Sequence, residues 1–294
     1  MSDTPLVSVV CASYNMGHYL VEAVDSVLNQ TYDNLEVIVV NDGSTDDTLE
    51  VLATYADNPR VIAINQENAG QTKAKNRGLQ EARGELVGFC DADNAWLPDK
   101  LARQVPYFAE PGSLGVVYGD IVLMDDKSND LSTPAIERHS GRITGRLLAS
   151  NFVTFNTTLV PRRILEEVDG FDESLSMGID YDLWLRISVN YEFLYLPQTL
   201  ARYRIWGGQM SHRTGERMDN FFRLLAGFLE KHPDSVTPAE ANRAWAHSLT
   251  TRGRWHASMG NRGEAWQDYR QALQHRPLDL RTWKSLGRLL AGAR

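Results

Sequence analysis

Cysteine is scarce in this chain of 294 residues. Cys11 and Cys90 each close an apolar, strand-like run, where a buried thiol acts as a small hydrophobe, and such sparing use fits a reducing compartment. Long apolar runs are missing as well. None approaches the ~20 residues of a membrane span, and Met1-Ser2-Asp3-Thr4-Pro5 offers neither a basic n-region nor an apolar h-region. These absences lead us to expect a cytoplasmic protein whose membrane contact, if any, is peripheral at the inner face. An excess of basic charge is also missing, since the net charge of -8 argues against nucleic acid as a partner. With 43% hydrophobic residues the chain should fold on its own core, as one large domain or a domain with an appendage.

The charge is uneven. From Ala241 onward ten Lys and Arg stand against three Asp and Glu, a net +7 that leaves -15 on the first 240 residues. Such a basic tail suits a contact surface for anionic lipid or an acidic protein, and equally an Arg-rich solvated helical face.

The chain is organised around Gly84-Glu85-Leu86-Val87-Gly88-Phe89-Cys90-Asp91-Ala92-Asp93. Leu86 to Cys90 reads as a short buried strand, and in an extended segment the carboxylates at i and i+2 point the same way. Two oxygen-bearing side chains aimed together suit a hard divalent cation shared with phosphate, or else a polar loop after a strand. Upstream, Leu6 to Ala12 and Leu35 to Val40 are apolar, β-branched runs separated by a helix bearing Leu20, Val24, Val27 and Leu28. Strand, helix, strand with continuous apolar strands is the pattern of a parallel sheet covered on both faces, an α/β fold. Ligands in such sheets gather beyond the carboxyl ends of the strands, where Asp42, Asp91 and Asp93 all fall.

Thr45 to Tyr55 should be a helix, with Asp46 and Asp47 in its first turn for structural reasons. Asp42 precedes a Gly-Ser turn and is free either to form that turn or to meet a ligand. Arg60 to Asn65 is a third strand, and a helix from about Gln71 to Glu81 carries Lys73, Lys75 and Arg77. Leu114 to Tyr118 and Thr154 to Val160 are strand-like, and a polar run between Met124 and Gly141 reads as a mobile loop over an acceptor or a plain surface excursion.

The set Ser13-Tyr14-Asn15, Val39-Val40-Asn41-Asp42-Gly43-Ser44-Thr45-Asp46, Asn68-Ala69-Gly70, Ala74-Lys75-Asn76-Arg77-Gly78 and Phe89-Cys90-Asp91-Ala92-Asp93 resembles family 2 glycosyltransferases of the GT-A fold, in order and spacing over roughly the first 210 residues. The resemblance implies a Rossmann-like, mostly parallel sheet flanked by helices, and a nucleotide-sugar site. It implies Ser13 and Tyr14 against the nucleobase, Asp42 hydrogen-bonded to it, and Asp91 at the ribose or the surroundings of the metal. It further implies Lys75 near the diphosphate and Asp93 holding Mn²⁺ or Mg²⁺. The chain departs from the family in having Lys75 where Arg is common and Asn94 where Asp is common.

Gly178-Ile179-Asp180-Tyr181-Asp182-Leu183-Trp184 should open a helix whose apolar face is Leu183, Trp184 and Ile187. The resemblance makes Asp180 the base of an inverting transfer, although Ile179 stands where the family has Glu. Asp182 reads as a first-turn acid and Trp184 as core. In the loop after Tyr203, His212 and Arg213 are candidates for assisting the leaving group, and Gln209-Met210-Ser211-His212-Arg213 lacks the Gln-x-x-Arg-Trp of processive members.

The chain divides into a GT-A domain over 1–215 and a helical tail over 216–294. Gly253, Ala265, Tyr269, Ala272 and Pro277 sit at tetratricopeptide-like offsets, with Trp283, Leu286 and Gly287 starting a second repeat. Such a tail either binds a protein or membrane partner or buttresses the catalytic domain. The expected activity is metal-dependent transfer of a sugar from a nucleoside diphosphate, UDP above all, to a hydroxyl on a glycan, lipid-linked or other acceptor, in surface polysaccharide or glycoconjugate synthesis. One rival is a catalytically silent, nucleotide-sugar-binding scaffold. A nucleotidyltransferase is the other, but it would want a Gly-rich, Arg- and Lys-bearing loop that Ser13-Tyr14-Asn15-Met16-Gly17 is not.

Overall fold

The computed structural model describes residues 4–110, 112–209 and 214–292. The first apolar run forms β1 (Val7–Ser13) and the second β2 (Leu35–Asp42), whose eight residues are all buried. Between them α1 (Gly17–Leu28) turns Leu20, Ala23, Val24 and Val27 inward. After α2 (Thr48–Ala53) come β3 (Val61–Gln66), α3 (Gln71–Glu81) and β4 (Leu86–Phe89). The two-residue β5 (Ala95–Trp96), α4 (Lys100–Gln104) and β6 (Leu114–Met124) follow. Then come α5 (Thr144–Leu147), β7 (Leu159–Pro161), α6 (Arg162–Glu167), α7 (Ile179–Asn190) and β8 (Glu192–Arg204). The remaining elements are helices: α8 (Thr214–Lys231), α9 (Pro238–Ser258), α10 (Arg262–His275) and α11 (Leu280–Leu290).

The strands make one sheet in the order β3-β2-β1-β4-β7-β6-β8-β5. Its first four strands are parallel; β1, β2 and β4 are buried almost throughout, while β3 at the edge is partly exposed. β7 then runs antiparallel to both β4 and β6, β6 and β8 are parallel, and β5 is antiparallel to β8. The architecture is therefore a mixed α/β sheet flanked by helices.

Local chemistry explains where elements fall short of their sequence patterns. The helix expected from Thr45 begins at Thr48 because the Asp46 carboxylate is engaged before it. Its Oδ2 accepts from the Gly17 amide at 3.0 Å and its Oδ1 from the Thr48 amide at 3.1 Å, so one side chain serves the starts of two helices. The strand expected from Thr154 is instead a 3-10 turn at Phe155–Thr157 before β7. Thr157 Oγ1 donates to Thr154 O at 2.7 Å and Thr158 Oγ1 to Phe155 O at 2.8 Å, local bonds that compete with a ladder. The polar run after Met124 starts as an anchored turn, since Leu131 N donates to Leu123 O at 2.7 Å and Arg202 Nε to Asp130 Oδ1 at 2.8 Å.

Behind the end of β4, Phe89, Phe155, Phe171, Trp184 and Phe193 form an aromatic cluster with centroids 4.7–6.4 Å apart where they pair. Trp184 is wholly buried there, so it is core, as its helical spacing suggested. Lys100 is also wholly buried. Its ammonium donates to Gln104 Oε1 at 2.8 Å and Thr158 O at 3.2 Å and lies 3.8 Å from the Trp96 ring, and burial pulls its pKa down to about 7.

Two compact units emerge, 1–142 with 152–212, and 143–151 with 213–294. The division at 215 did not anticipate the short piece 143–151. In the second unit α5 packs on α9, with Gly145 so close that a Cβ there would lie 2.2 Å from Glu240 Oε1. A capping box starts α9: Glu240 N donates to Thr237 Oγ1 and Thr237 N to Glu240 Oε2. Tyr269 closes over Gly253, where a Cβ would meet the ring at 2.6 Å, and Ala265, Tyr269, Leu286 and Leu289 form a small core. No helix among the described residues is long and apolar enough to cross a membrane.

Candidate active site

Parallel pairing sets the ends of β1, β2 and β4 side by side. Ser13, at the end of β1, is buried, and its Oγ has no hydrogen-bond partner among the described residues. A buried hydroxyl without a partner is costly unless a ligand supplies one. Tyr14 follows it and is half exposed, and Asn15 takes a left-handed φ of 55°. Asn15 Oδ1 accepts from Thr45 N at 2.8 Å, and Asn15 N donates to Ser44 Oγ at 2.9 Å, which ties this loop to the one after β2.

Asp42 is buried at the end of β2. Its Oδ1 accepts from Gln66 Nε2 at 2.7 Å and Ala69 N at 2.8 Å, and its Oδ2 from Gly70 N at 2.8 Å. The carboxylate thus shapes the 67–70 loop, and with about four acceptor positions it retains room for one further donor. Gly43 makes the turn at φ 73°, where a Cβ would strike Asn68 N at 2.6 Å.

At the end of β4 the acids are held apart in role. Asp91 Oδ1 pairs with Lys75 Nζ at 3.0 Å, while its Oδ2 accepts from Asn156 Nδ2 at 2.8 Å and its amide donates to Asn156 Oδ1 at 2.6 Å. Lys75 is nearly buried, with its ammonium 4.9 Å from the Phe155 ring. Asp93 receives Asn94 Nδ2 on Oδ1 and Trp206 Nε1 on Oδ2, each at 2.9 Å. Burial, then the charge of Asp91, raises the Asp93 pKa; the Trp206 hydrogen bond offsets part of this. Burial, followed by the Asp91 charge, pushes the Cys11 thiol up to about 12, and Cys90 is also raised, so both are inert thiols beneath the acids. Among the described residues no three His, Cys, Asp or Glu side chains converge to enclose an ion.

Asp180 lies in the first turn of α7, after Gly178 in the left-handed region at φ 73°. The chain leading to it is tethered to α3: Gln71 Nε2 donates to Ser176 O at 2.9 Å and Thr72 Oγ1 to Leu175 O at 2.7 Å. Asp182 accepts from Arg186 Nε at 2.8 Å, and Arg186 also donates to Gly170 O at 2.7 Å, so Asp182 orients a residue that braces the preceding loop. His212 and Arg213 lie outside the described residues.

Four residues of this site escaped the sequence reading of roles: Asn156, Trp206, Asn94 and Arg204. Asn94 Oδ1 accepts from Arg204 N at 2.8 Å, and the wholly buried Arg204 donates through Nε to Asp93 O at 2.9 Å and through Nη1 to Asp125 O at 3.1 Å. Its guanidinium also pairs with Glu22 and lies 4.2 Å from the Tyr19 ring. The one available signal was Arg204 itself, a charge closing a long strand.

Residues 8–120 match the family described as Glycosyl transferase family 2. An uncharacterized glycosyltransferase of Rickettsia prowazekii is 31% identical over 233 residues, which is 78% of this chain and 73% of that protein. The chain belongs to glycosyltransferase family 2. This glycosyltransferase is also 36% identical over 231 residues to an Escherichia coli chondroitin synthase, spanning 76% of its own length and 33% of the synthase. The crystal structure of S. aureus TarS 1-349 shares its fold, with a TM-score of 0.67 at 18% identity over 98% of this chain and 92% of that one.

Proposed function

We propose that this glycosyltransferase transfers a sugar, with inversion, from a nucleoside diphosphate donor to an acceptor hydroxyl, that the donor is UDP-linked, and that Mn²⁺ or Mg²⁺ assists. The convergence of Ser13, Asp42, Asp91 and Asp93 at the carboxyl ends of three neighbouring strands carries the reading. In support, Ser13 Oγ is a buried hydroxyl with no hydrogen-bond partner among the described residues. S. aureus TarS has also been solved in complex with UDP-GlcNAc, which favours a uridine donor.

The residues present fit a divalent cation. Asp93 is a half-buried carboxylate whose ionised form is disfavoured by desolvation and by Asp91, and a cation beside it relieves both. With few protein ligands at hand, the other oxygens would come from the donor diphosphate. When bound, the ion supplies charge neutralisation on the departing diphosphate. Lys75, fixed by Asp91, brings a second positive charge to the same region. Ser13 and Tyr14 bound the nucleobase, and the remaining acceptor position of Asp42 receives one of its donors. Asp180 takes the proton of the acceptor hydroxyl as that oxygen bonds to the anomeric carbon and the bond to the diphosphate oxygen breaks. His212 assists the leaving group in this reading.

The relationship to chondroitin synthase supports work on surface polysaccharide or glycoconjugate, and the free, buried Cys11 and Cys90 support a cytoplasmic location. The helical tail belongs to the same reading as a tetratricopeptide-like element, supported by the close packing of Tyr269 on Gly253. One observation favours the rival of a silent donor-binding scaffold: both Asp93 oxygens already have protein partners. Calorimetric titration of UDP and GDP with and without Mn²⁺, followed by an assay for sugar release, separates the readings. Metal-dependent UDP binding with turnover supports the enzyme, binding without turnover the scaffold, and no binding defeats both.

A further inference from the structure

The second unit carries a surface to which no step of the proposed sugar transfer is assigned. On α11, Thr282, Ser285, Leu286 and Leu289 face inward, and Asp279 caps the helix by accepting from Thr282 N at 2.9 Å. The opposite side is divided into two stripes. Leu280, Trp283, Gly287 and Leu290 recur at three- and four-residue intervals and so share one line along the helix, continued by Leu278 just before it. They are exposed to an unusual degree: Leu278 by 89%, Leu280 by 73%, Leu290 by 66% and Trp283 by 51%. The indole is held in place, since Trp283 Nε1 donates to Pro277 O at 2.8 Å. Arg281, Lys284 and Arg288 form the adjoining stripe at the same spacing, and none of them is in an ion pair among the described residues. The acid nearby, Asp279, is committed to the cap and to Arg276 at 3.7 Å.

We propose that this face of α11 docks on an anionic lipid bilayer, with the leucine and tryptophan stripe entering the interface and the basic stripe lying against the headgroups. A helix that presents large apolar side chains beside cations is built to lie in an interface plane. A solvated helix would not expose three leucines and a tryptophan within thirteen residues. The charge selects the occupant. The chain carries -8 overall, yet its last 54 residues carry +7, so attraction to an anionic surface is confined to this end. A second copy docking symmetrically would set Arg281, Lys284 and Arg288 against their own equivalents, which disfavours self-association through this face.

The test is co-sedimentation of the full chain with vesicles of phosphatidylcholine alone or phosphatidylcholine mixed with phosphatidylglycerol. We expect pelleting with the mixed vesicles only, reversed by added NaCl. The triple variant Arg281→Gln, Lys284→Gln, Arg288→Gln should weaken partitioning by about 100-fold, and Leu280→Glu with Leu290→Glu should abolish it. Both variants alter only exposed positions, and retained UDP calorimetry and circular dichroism would verify folding, the latter serving if UDP does not bind at all. The proposal is overturned if the wild type ignores mixed vesicles, if it binds neutral ones equally, or if neither variant changes the binding. It is overturned too if light scattering shows a vesicle-independent dimer that the leucine variant dissolves.

Discussion

In the first unit Asp42 and Arg204 are buried and Asp91 and Asp93 half-buried, and each has hydrogen bonds to particular partners. In the second, Arg281, Lys284 and Arg288 lie outside on α11, and none of them is in an ion pair among the described residues. Inward polar groups fix positions to fractions of an ångström, because an unmet buried donor or acceptor is costly. Outward ones fix nothing and can only attract. Changes in the first unit should therefore act sharply and locally, and changes on α11 in a graded, salt-dependent way.

The strongest break in that contrast should come from Asp93→Ala. We expect metal-dependent donor binding to disappear and transfer to fall by about 10³-fold or more, as read by calorimetry and a sugar-release assay; binding and transfer that survived would remove Asp93 from the metal site. Asp180→Asn should lower kcat by about 10²–10⁴-fold with donor affinity unchanged, and normal turnover would assign the base elsewhere. Trp206→Phe sharpens the comparison further. It removes the indole hydrogen bond to Asp93 while keeping an aromatic ring, so the Mn²⁺ concentration needed for half-maximal donor binding should rise about 10–100-fold. The carboxylate left with one partner would be free to rotate.

A smaller effect is expected at Lys100. Its folded pKa, near 7, lies below the ordinary 10.5, so between those values the unfolded chain holds a proton that the folded chain lacks. Stability should accordingly rise as pH climbs from 7 towards 10 and be lowest below 7. Lys100→Met should stabilise the protein at pH 6 by about 1–4 kcal/mol, with the gain shrinking by pH 10, measured by urea unfolding at both pH values. A gain independent of pH would mean that packing, not charge, is responsible.

Much of the first unit was legible because its information is local. Leu35 to Val40 reads as a buried strand from its own residues, and an acid that follows such a run must sit at the sheet's carboxyl edge. Asp42, Asp91 and Asp93 were found in this way. Asn156 was not, because it sits in a run whose β-branched residues suggest a strand, and only the threonine hydroxyls turning back on their own carbonyls make it a 3-10 turn facing Asp91. Trp206 and Arg204 were missed for a different reason. Their partners Asp93 and Asn94 lie more than a hundred residues away, and no periodicity reports on such pairs. The antiparallel β7 was equally hidden, since three residues are too few to show a pattern. In the tail, the inward positions Ala265, Tyr269 and Ala272 were visible as small or aromatic residues at helical spacing, and the short α5 that joins them on α9 was not.

Arg204 has a consequence for the order in which the protein can be made. It binds Asn94 across 110 residues and Glu22 across 182, so neither contact can form until residue 204 has left the ribosome. Until then β1 to β4 can pair among themselves, but the Asp93 backbone and the anchored turn at Asp125 wait for one late side chain. Loop closure over such distances is slow. Pulse proteolysis of nascent chains stalled on either side of residue 204 should accordingly find the early sheet protected in both, and the 91–94 loop protected only in the longer one.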